Sequence, residues 1–206
     1  MSFHVIKLGG SLMGSARDLM KVLCGLSEDG FSFLVVPGGG PMADLVRDLF
    51  ARHTISEEAA HWMAILAMEQ YAYLLADDTG AKLTAEVQRT EGVKVLLPYH
   101  TLREDDRGIE HNWDYTSDSV AVLMAMRLGA PLIKATDVDG VILEGEVVRE
   151  ISASSLMGLE SCIDQGSLRL LKASKISCWV LNATDLQRFV SALKTGEGGT
   201  TIKGCK

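Results

Sequence analysis

The feature that most limits the fold is a series of short apolar runs without polar alternation: "HVIKLG" (4–9), "FSFLVVP" (31–37), "VKVLLPY" (93–99), "PLIKATDV" (131–138) and "ISCWVLNA" (176–183). A strand with one wet face alternates apolar and polar residues, so these runs predict strands covered on both faces. A parallel sheet flanked by helices meets that demand. The stretches between the runs have helical periodicity. "SARDLMKVLCGLSEDG" (15–30) puts Leu19, Val22, Leu23 and Leu26 on one face, with Ser15 as the expected N-cap and Gly30 beyond the end. "PMADLVRDLFARH" (41–53) aligns Leu45, Leu49 and Phe50 behind Pro41, a residue suited to a first helical turn. The expected class is α/β with a mostly parallel central sheet.

No repeat, low-complexity tract or flexible linker divides the 206 residues, so one domain spanning 1–206 is expected. The helix in "SEEAAHWMAILAMEQYAYLLADD" (56–78) leaves almost no polar face, which predicts burial on several sides or a subunit interface, and with it a homo-oligomer. The charged, glycine-containing stretch 102–111, "LREDDRGIEH", reads as an exposed loop or lid. With 20 basic against 27 acidic residues, the net charge of −7 argues against nucleic acid as a partner. No apolar stretch approaches the ~20 residues of a membrane span and no secretory pattern opens the chain, so a cytoplasmic protein without a membrane partner is expected. Cys24, Cys162, Cys178 and Cys205 are scattered without CxxC spacing, which predicts reduced thiols and no metal site.

Two of the runs end in glycine clusters that lead straight into helices: Gly9-Gly10-Ser11 and Gly38-Gly39-Gly40. Glycine lets backbone N–H groups approach an anion closely, and a helix N-terminus adds partial positive charge. Either cluster alone is equally a tight strand-to-helix turn. Residues 38–43, "GGGPMA", also satisfy a dinucleotide-binding fingerprint, with Glu58 at about the spacing of its acid. That acid belongs at a strand end, however, whereas Glu57 and Glu58 open the apolar helix. No Walker A motif occurs, and neither H-R-D nor D-F-G is present. Thr116, Ser117, Asp118 and Ser119 open another apolar helix, where Thr116 or Ser117 could act as its cap. Thr136, Asp137, Asp139 and Gly140 follow a strand, at the end where open α/β sheets bind ligands, although Asp-Gly is also a common hairpin turn.

Taken together, "VIKLGGS", "VVPGGG", "TSDSVAVLMA", "KATDVDGV" and "GEGGTTI" resemble, in order and spacing, the motifs of the amino acid kinase superfamily over nearly the whole chain. The resemblance implies a three-layer αβα sandwich and transfer of a phosphoryl group from ATP to a carboxylate, carbamate or phosphate. The short length and "HWMAILAMEQY" are most similar to the branch whose acceptor is the phosphate of a small aminomethyl-furan. Uridylate kinases come second, and a non-catalytic oxyanion-storage member of the superfamily is the alternative of a different class.

By this resemblance Lys7 would stabilise charge on the moving phosphoryl group and Asp118 would orient Lys7. Gly9, Gly10, Ser11, Thr136, Asp137, Asp139 and Gly140 would hold nucleotide and phosphate. Gly38, Gly39, Gly40, Thr116 and Ser117 would line the acceptor. An anionic acceptor needs no general base, consistent with the scattered His4, His53, His61, His100 and His111. Mg²⁺ would arrive on the phosphates of ATP, without a dedicated carboxylate cage. An aminomethyl group calls for an acid and an aromatic face, for which Asp44, Trp62, Trp113 and Asp114 are the candidates, Trp62 serving equally as packing.

Overall fold

The computed structural model describes residues 2–53 and 55–204; Cys205 lies outside them. The chain runs β1 (Ser2–Leu8), a 3-10 turn (Gly10–Ser15), α1 (Ala16–Leu26), β2 (Phe31–Pro37), α2 (Gly40–Arg52) and α3 (Glu57–Ala76). It continues through β3 (Lys82–Thr84), β4 (Val93–Leu96), α4 (Pro98–Glu104), α5 (Ser117–Leu128) and β5 (Leu132–Thr136). A small hairpin, β6 (Ile142–Leu143) and β7 (Glu146–Val147), precedes β8 (Glu150–Ser152), α6 (Ala153–Leu156) and α7 (Gln165–Lys172). The last elements are β9 (Cys178–Asn182), α8 (Leu186–Thr195) and β10 (Thr200–Lys203).

Eight strands form one sheet in the order β3-β4-β2-β1-β5-β9-β10-β8, parallel except where β10 runs against β9. The expected class therefore holds, and the unbroken apolar runs are explained by a core on each face. On one face Val5, Leu34, Val36, Leu132 and Val180 meet α5 and α7. On the other Ile6, Leu8, Phe33, Val35 and Ile133 meet α1 and α8. Helix α3 feeds both cores, Ile65 and Met68 the first and Tyr71, Ala72 and Leu75 the second. That double duty is why its sequence has so little polar face. No helix among the described residues is long and apolar enough to cross a membrane.

Several local expectations are corrected. Ser15 holds the N-cap position of α1, but its hydroxyl donates to the Leu12 carbonyl at 3.3 Å and caps no N–H. The fourth strand stops at Leu96, because Pro98 opens α4 in the conformation that suits it there. Residues 105–111 form the expected connection, with Arg107, Gly108 and Glu110 exposed, but 102–104 end α4, Leu102 and Ile109 are buried, and the connection is tied down by Asp105 to Arg107 and Arg127 and by His111 to Asp106 and Glu58. The hairpin turn falls at Glu144-Gly145, both at positive φ, and not at Asp139-Gly140. Cys24, Cys162 and Cys178 are free thiols.

Candidate active site

Parallel strands deliver their C-terminal ends to one edge of the sheet, and both glycine clusters lie there. The ladder continues into them: Gly9 N–H donates to Ala135 at 3.2 Å and Gly38 N–H to Leu8 at 2.8 Å. The clusters pack directly on one another. A Cβ on Gly10 would fall 2.5 Å from the Gly40 Cα, and one on Gly38 would fall 2.9 Å from the Gly10 nitrogen. Only glycine permits that approach, so the turns after β1 and β2 form one continuous backbone surface. Gly40 adopts φ +53, and α2 starts there with its free N–H groups at this edge. Ser11 is exposed in the 3-10 turn.

Lys7 on β1 and Lys134 on β5 are direct register partners. Side chains alternate along a strand, so Lys7 shares the face of Val5, and Lys134 that of Leu132; both belong to the core beneath α5. Asp118, in the first turn of α5, meets both ammonium groups: Lys7 Nζ lies 2.9 Å from Oδ1, and Lys134 Nζ donates to Oδ2. All three side chains are less than a tenth exposed. Two cations share one anion, and the Asp164 carboxylate adds a further favourable charge for Lys7.

The cluster sets its own ionisation. Burial alone would raise the Asp118 carboxyl, but Lys134 and Lys7 together hold it down at about 2. Burial would likewise lower Lys134, and the charge and hydrogen bond of Asp118 outweigh it, leaving the ammonium above the ordinary lysine value. For Lys7 burial wins, opposed by Asp118 and reinforced by repulsion from Lys134, so its pKa is lowered.

Asp164, the N-cap of α7, fixes the start of α5. Its carboxylate accepts from Thr116 N–H at 2.9 Å, Thr116 Oγ1 at 2.6 Å, Ser119 Oγ at 2.7 Å and Ser167 N–H at 2.6 Å. Thr116 is the N-cap of α5, its Oγ1 accepting from Asp118 N–H. Asp164 thereby locks the turn that carries Asp118. Lys134 and Asp164 are absent from the residues expected from sequence. Lys134 carried a readable signal, being a second lysine inside an apolar run like Lys7. Asp164 carried none, because its role depends on where α7 packs.

Two clefts are lined by residues that follow the C-terminal ends of the strands. On the β2 side a cleft is lined by Gly39, Thr116 and Ser117 with Ala43 and Arg47 of α2, Glu57, His61, Ile65 and Met68 of α3, and Asn112, Trp113 and Tyr115. On the β9 side a more open cleft is lined by Asp139, Asn182, Asp185, Arg188, Thr195 and Gly198-Gly199. Asp139 there accepts from Asn182 Nδ2 at 3.0 Å. Thr136 Oγ1 donates to Asp137 Oδ1 at 3.2 Å at the strand end between the clefts. Gly140 faces the buried Thr200 and the exposed Val147.

Other expected residues fall elsewhere. Asp44 is exposed on α2 and pairs with Arg47 at 2.6 Å, and Asp114 pairs with Arg169 at 2.6 Å. Trp62 points away from the cleft: its Nε1 donates to Glu58 at 2.7 Å and Arg103 lies over its ring. Helical periodicity explains this, since Trp62 follows His61 by one residue, about 100° around α3. Trp113 does line the cleft.

Comparison with known proteins agrees with this arrangement. The model of the amino acid kinase family matches residues 2–182. The [5-(aminomethyl)furan-3-yl]methyl phosphate kinase of Methanocaldococcus jannaschii is 34% identical over 203 residues, covering 93% of each chain. Among solved structures, uridylate kinase from Archaeoglobus fulgidus superposes with a TM-score of 0.72 at 23% identity, over 98% of this chain and 100% of that one. UMP kinase from Ureaplasma parvum gives 0.71 at 15% identity, over 98% and 99%. These two likenesses are of fold. Matched by the family model over most of its length and by one kinase nearly end to end, this chain belongs to the amino acid kinase family and is a kinase.

Proposed function

We propose that the enzyme transfers the γ-phosphoryl group of MgATP to the phosphate of [5-(aminomethyl)furan-3-yl]methyl phosphate, giving the diphosphate and ADP. The observation that carries this reading is the buried Lys7–Asp118–Lys134 cluster, with Lys7 Nζ beside the Gly9 turn. The choice of acceptor draws on the 34% identity to the kinase that bears this compound in its name.

Transfer between two phosphates needs in-line positioning and compensation of charge, and little covalent assistance. The acceptor oxygen is already anionic, so no residue has to remove a proton. Lys7, beside the Gly9-Gly10 turn, would meet the transferring group, and Lys134 would add a second fixed charge. Asp118 keeps both ammonium groups charged and aimed, and Asp164 holds Asp118 in place. Gly38, Gly39 and Gly40 with Thr116 and Ser117 would receive the acceptor phosphate on the β2 side. Ser11, Thr136, Asp137 and Asp139 would face the nucleotide on the β9 side. Among the described residues no three His, Cys, Asp or Glu side chains are grouped to hold a metal ion. Such a chain suits Mg²⁺ carried in on the nucleotide phosphates, where it neutralises developing charge. The exposed Leu45, Leu66, Tyr73 and Leu74 on α2 and α3 support a homo-oligomer, testable by light scattering.

The deciding experiment incubates the protein with ATP, Mg²⁺ and each of the furan phosphate, UMP and isopentenyl phosphate, and reads products by mass spectrometry. The expected result is ADP with the furan diphosphate. Preferential phosphorylation of UMP would replace the acceptor, and nucleotide binding without transfer to any acceptor would overturn the catalytic reading.

A further inference from the structure

The cleft on the β2 side has two chemically distinct parts. Gly39, Thr116 and Ser117 mark one, at the starts of α2 and α5, where free N–H groups suit a phosphate. The rest of the lining comes largely from α2 and α3 and includes three ionisable side chains, Arg47, Glu57 and His61.

Two of the three are already accounted for. The Arg47 guanidinium donates to Asp44 at 2.6 Å and lies over the Trp113 ring, 5.4 Å from its centroid. His61 is buried and stacks on His111 with ring centroids 3.9 Å apart. Burial and the charge of His111 push its pKa down to about 4, so at neutral pH it adds no positive charge to the cleft. Glu57 differs. Its carboxylate makes no hydrogen bond or ion pair among the described residues, whereas the adjacent Glu58 is engaged by His111 and by Trp62 Nε1. Glu57 and His61 are four residues apart on α3 and so share one helix face.

This part of the cleft therefore combines an exposed carboxylate without a partner among the described residues, an uncharged imidazole and the Trp113 ring, with the Arg47 guanidinium already paired to Asp44. That set suits a primary ammonium joined to a small flat ring. We propose that Glu57 is the counter-ion for an ammonium group of the acceptor and sets the preference for amine-bearing phosphate esters. The assignment rests on the acceptor reading above and replaces Asp44, Asp114 and Trp62 in this role. An acceptor without an amine would leave Glu57 unpaired and would gain nothing from it.

The test compares two ligands, the aminomethyl-furan phosphate and the same compound with methyl in place of aminomethyl. Binding to wild type, Glu57→Gln and Glu58→Gln is measured by calorimetry with a non-hydrolysable ATP analogue present, and turnover with ATP is followed in parallel. Wild type is expected to prefer the amine by about tenfold or more. Glu57→Gln should erase that preference through weaker amine binding, with methyl-analogue binding unchanged, while Glu58→Gln keeps it. Equal binding of both ligands to wild type, or a preference that survives Glu57→Gln, overturns the proposal. Preferential amine binding without turnover would refute the acceptor reading and leave the ammonium subsite standing. Turnover with no amine preference would do the reverse.

Discussion

Lys7 and Lys134 are neighbours in register on adjacent parallel strands, and a single carboxylate, Asp118, pairs with both. Strands in register lie about 4.8 Å apart, so two buried ammonium groups here repel unless an anion joins them. Asp164 adds a further favourable charge for Lys7, whose Nζ lies beside the Gly9 turn.

Removing either cation should therefore impair chemistry more than binding. Lys7→Ala and Lys134→Ala are each expected to lower kcat by about 10²–10³-fold, the scale of losing one charge-stabilising donor. Steady-state assays of ADP release check this, with circular dichroism confirming the fold. Undiminished kcat in Lys7→Ala would remove it from the mechanism.

Asp118→Asn leaves two buried cations without their counter-ion. Breaking a buried ion pair from one side costs roughly 3–5 kcal/mol, so urea denaturation should show a loss of that order. The pH dependence follows from the lowered carboxyl. With a folded value of about 2 against an ordinary 3.8, the stabilisation by Asp118 is complete above 3.8 and disappears as the pH falls through about 2. An Asp118→Asn protein as stable as wild type at pH 7 would contradict this account.

Gly10→Ala tests the contact between the two turns. The added Cβ would fall 2.5 Å from the Gly40 Cα, so the loops must part. Overpacking of this kind costs about 1–3 kcal/mol, and parting the loops should raise the KM for both substrates. Thermal unfolding and initial rates give the two readouts. Gly14→Ala, which meets nothing within 4 Å, is the control expected to behave as wild type.

The stacked His61 and His111 should titrate in opposite directions. Burial and His111 lower His61 from 6.5 to about 4, so its contribution to stability is complete above 6.5 and is lost as the pH falls through about 4. Burial also acts to lower His111, but its bonds to Glu58 and Asp106 outweigh this and its pKa is raised. That contribution is complete below 6.5 and is lost as the pH rises past the folded value. Imidazole proton shifts in NMR titrations should give a midpoint near 4 for one ring and above 6.5 for the other; two midpoints at 6.5 would refute the coupling.

How far the site could be read in advance depended on the kind of signal. Lys7 and the glycine clusters were legible because a cation or a run of glycines in an apolar strand end has few other uses. Lys134 carries the same signal, a lysine inside the apolar run "PLIKATDV". Asp44 and Trp62 show the opposite error: both have the right chemistry near the right motifs, but helical phase turns them from the cleft and brings in Arg47, Glu57 and His61. The stretch 102–111 looked like a loop because of its charges, yet those charges pair among themselves and with Arg127 and Glu58, and Leu102 and Ile109 are buried beneath.

By itself the sequence determined the α/β class, the mostly parallel sheet and the strand ends that carry the glycine turns. Apolar runs without alternation require cover on both faces, and glycine turns at strand ends require close backbone approach. Only the tertiary structure decided which charges meet. The register of β1 against β5 set Lys7 beside Lys134, the packing of α5 brought Asp118 between them, and α7 placed Asp164 to hold it. Such pairs, Lys7–Asp118 across more than 100 positions among them, leave no periodic trace in a chain, because they arise from how elements pack and not from how each one forms.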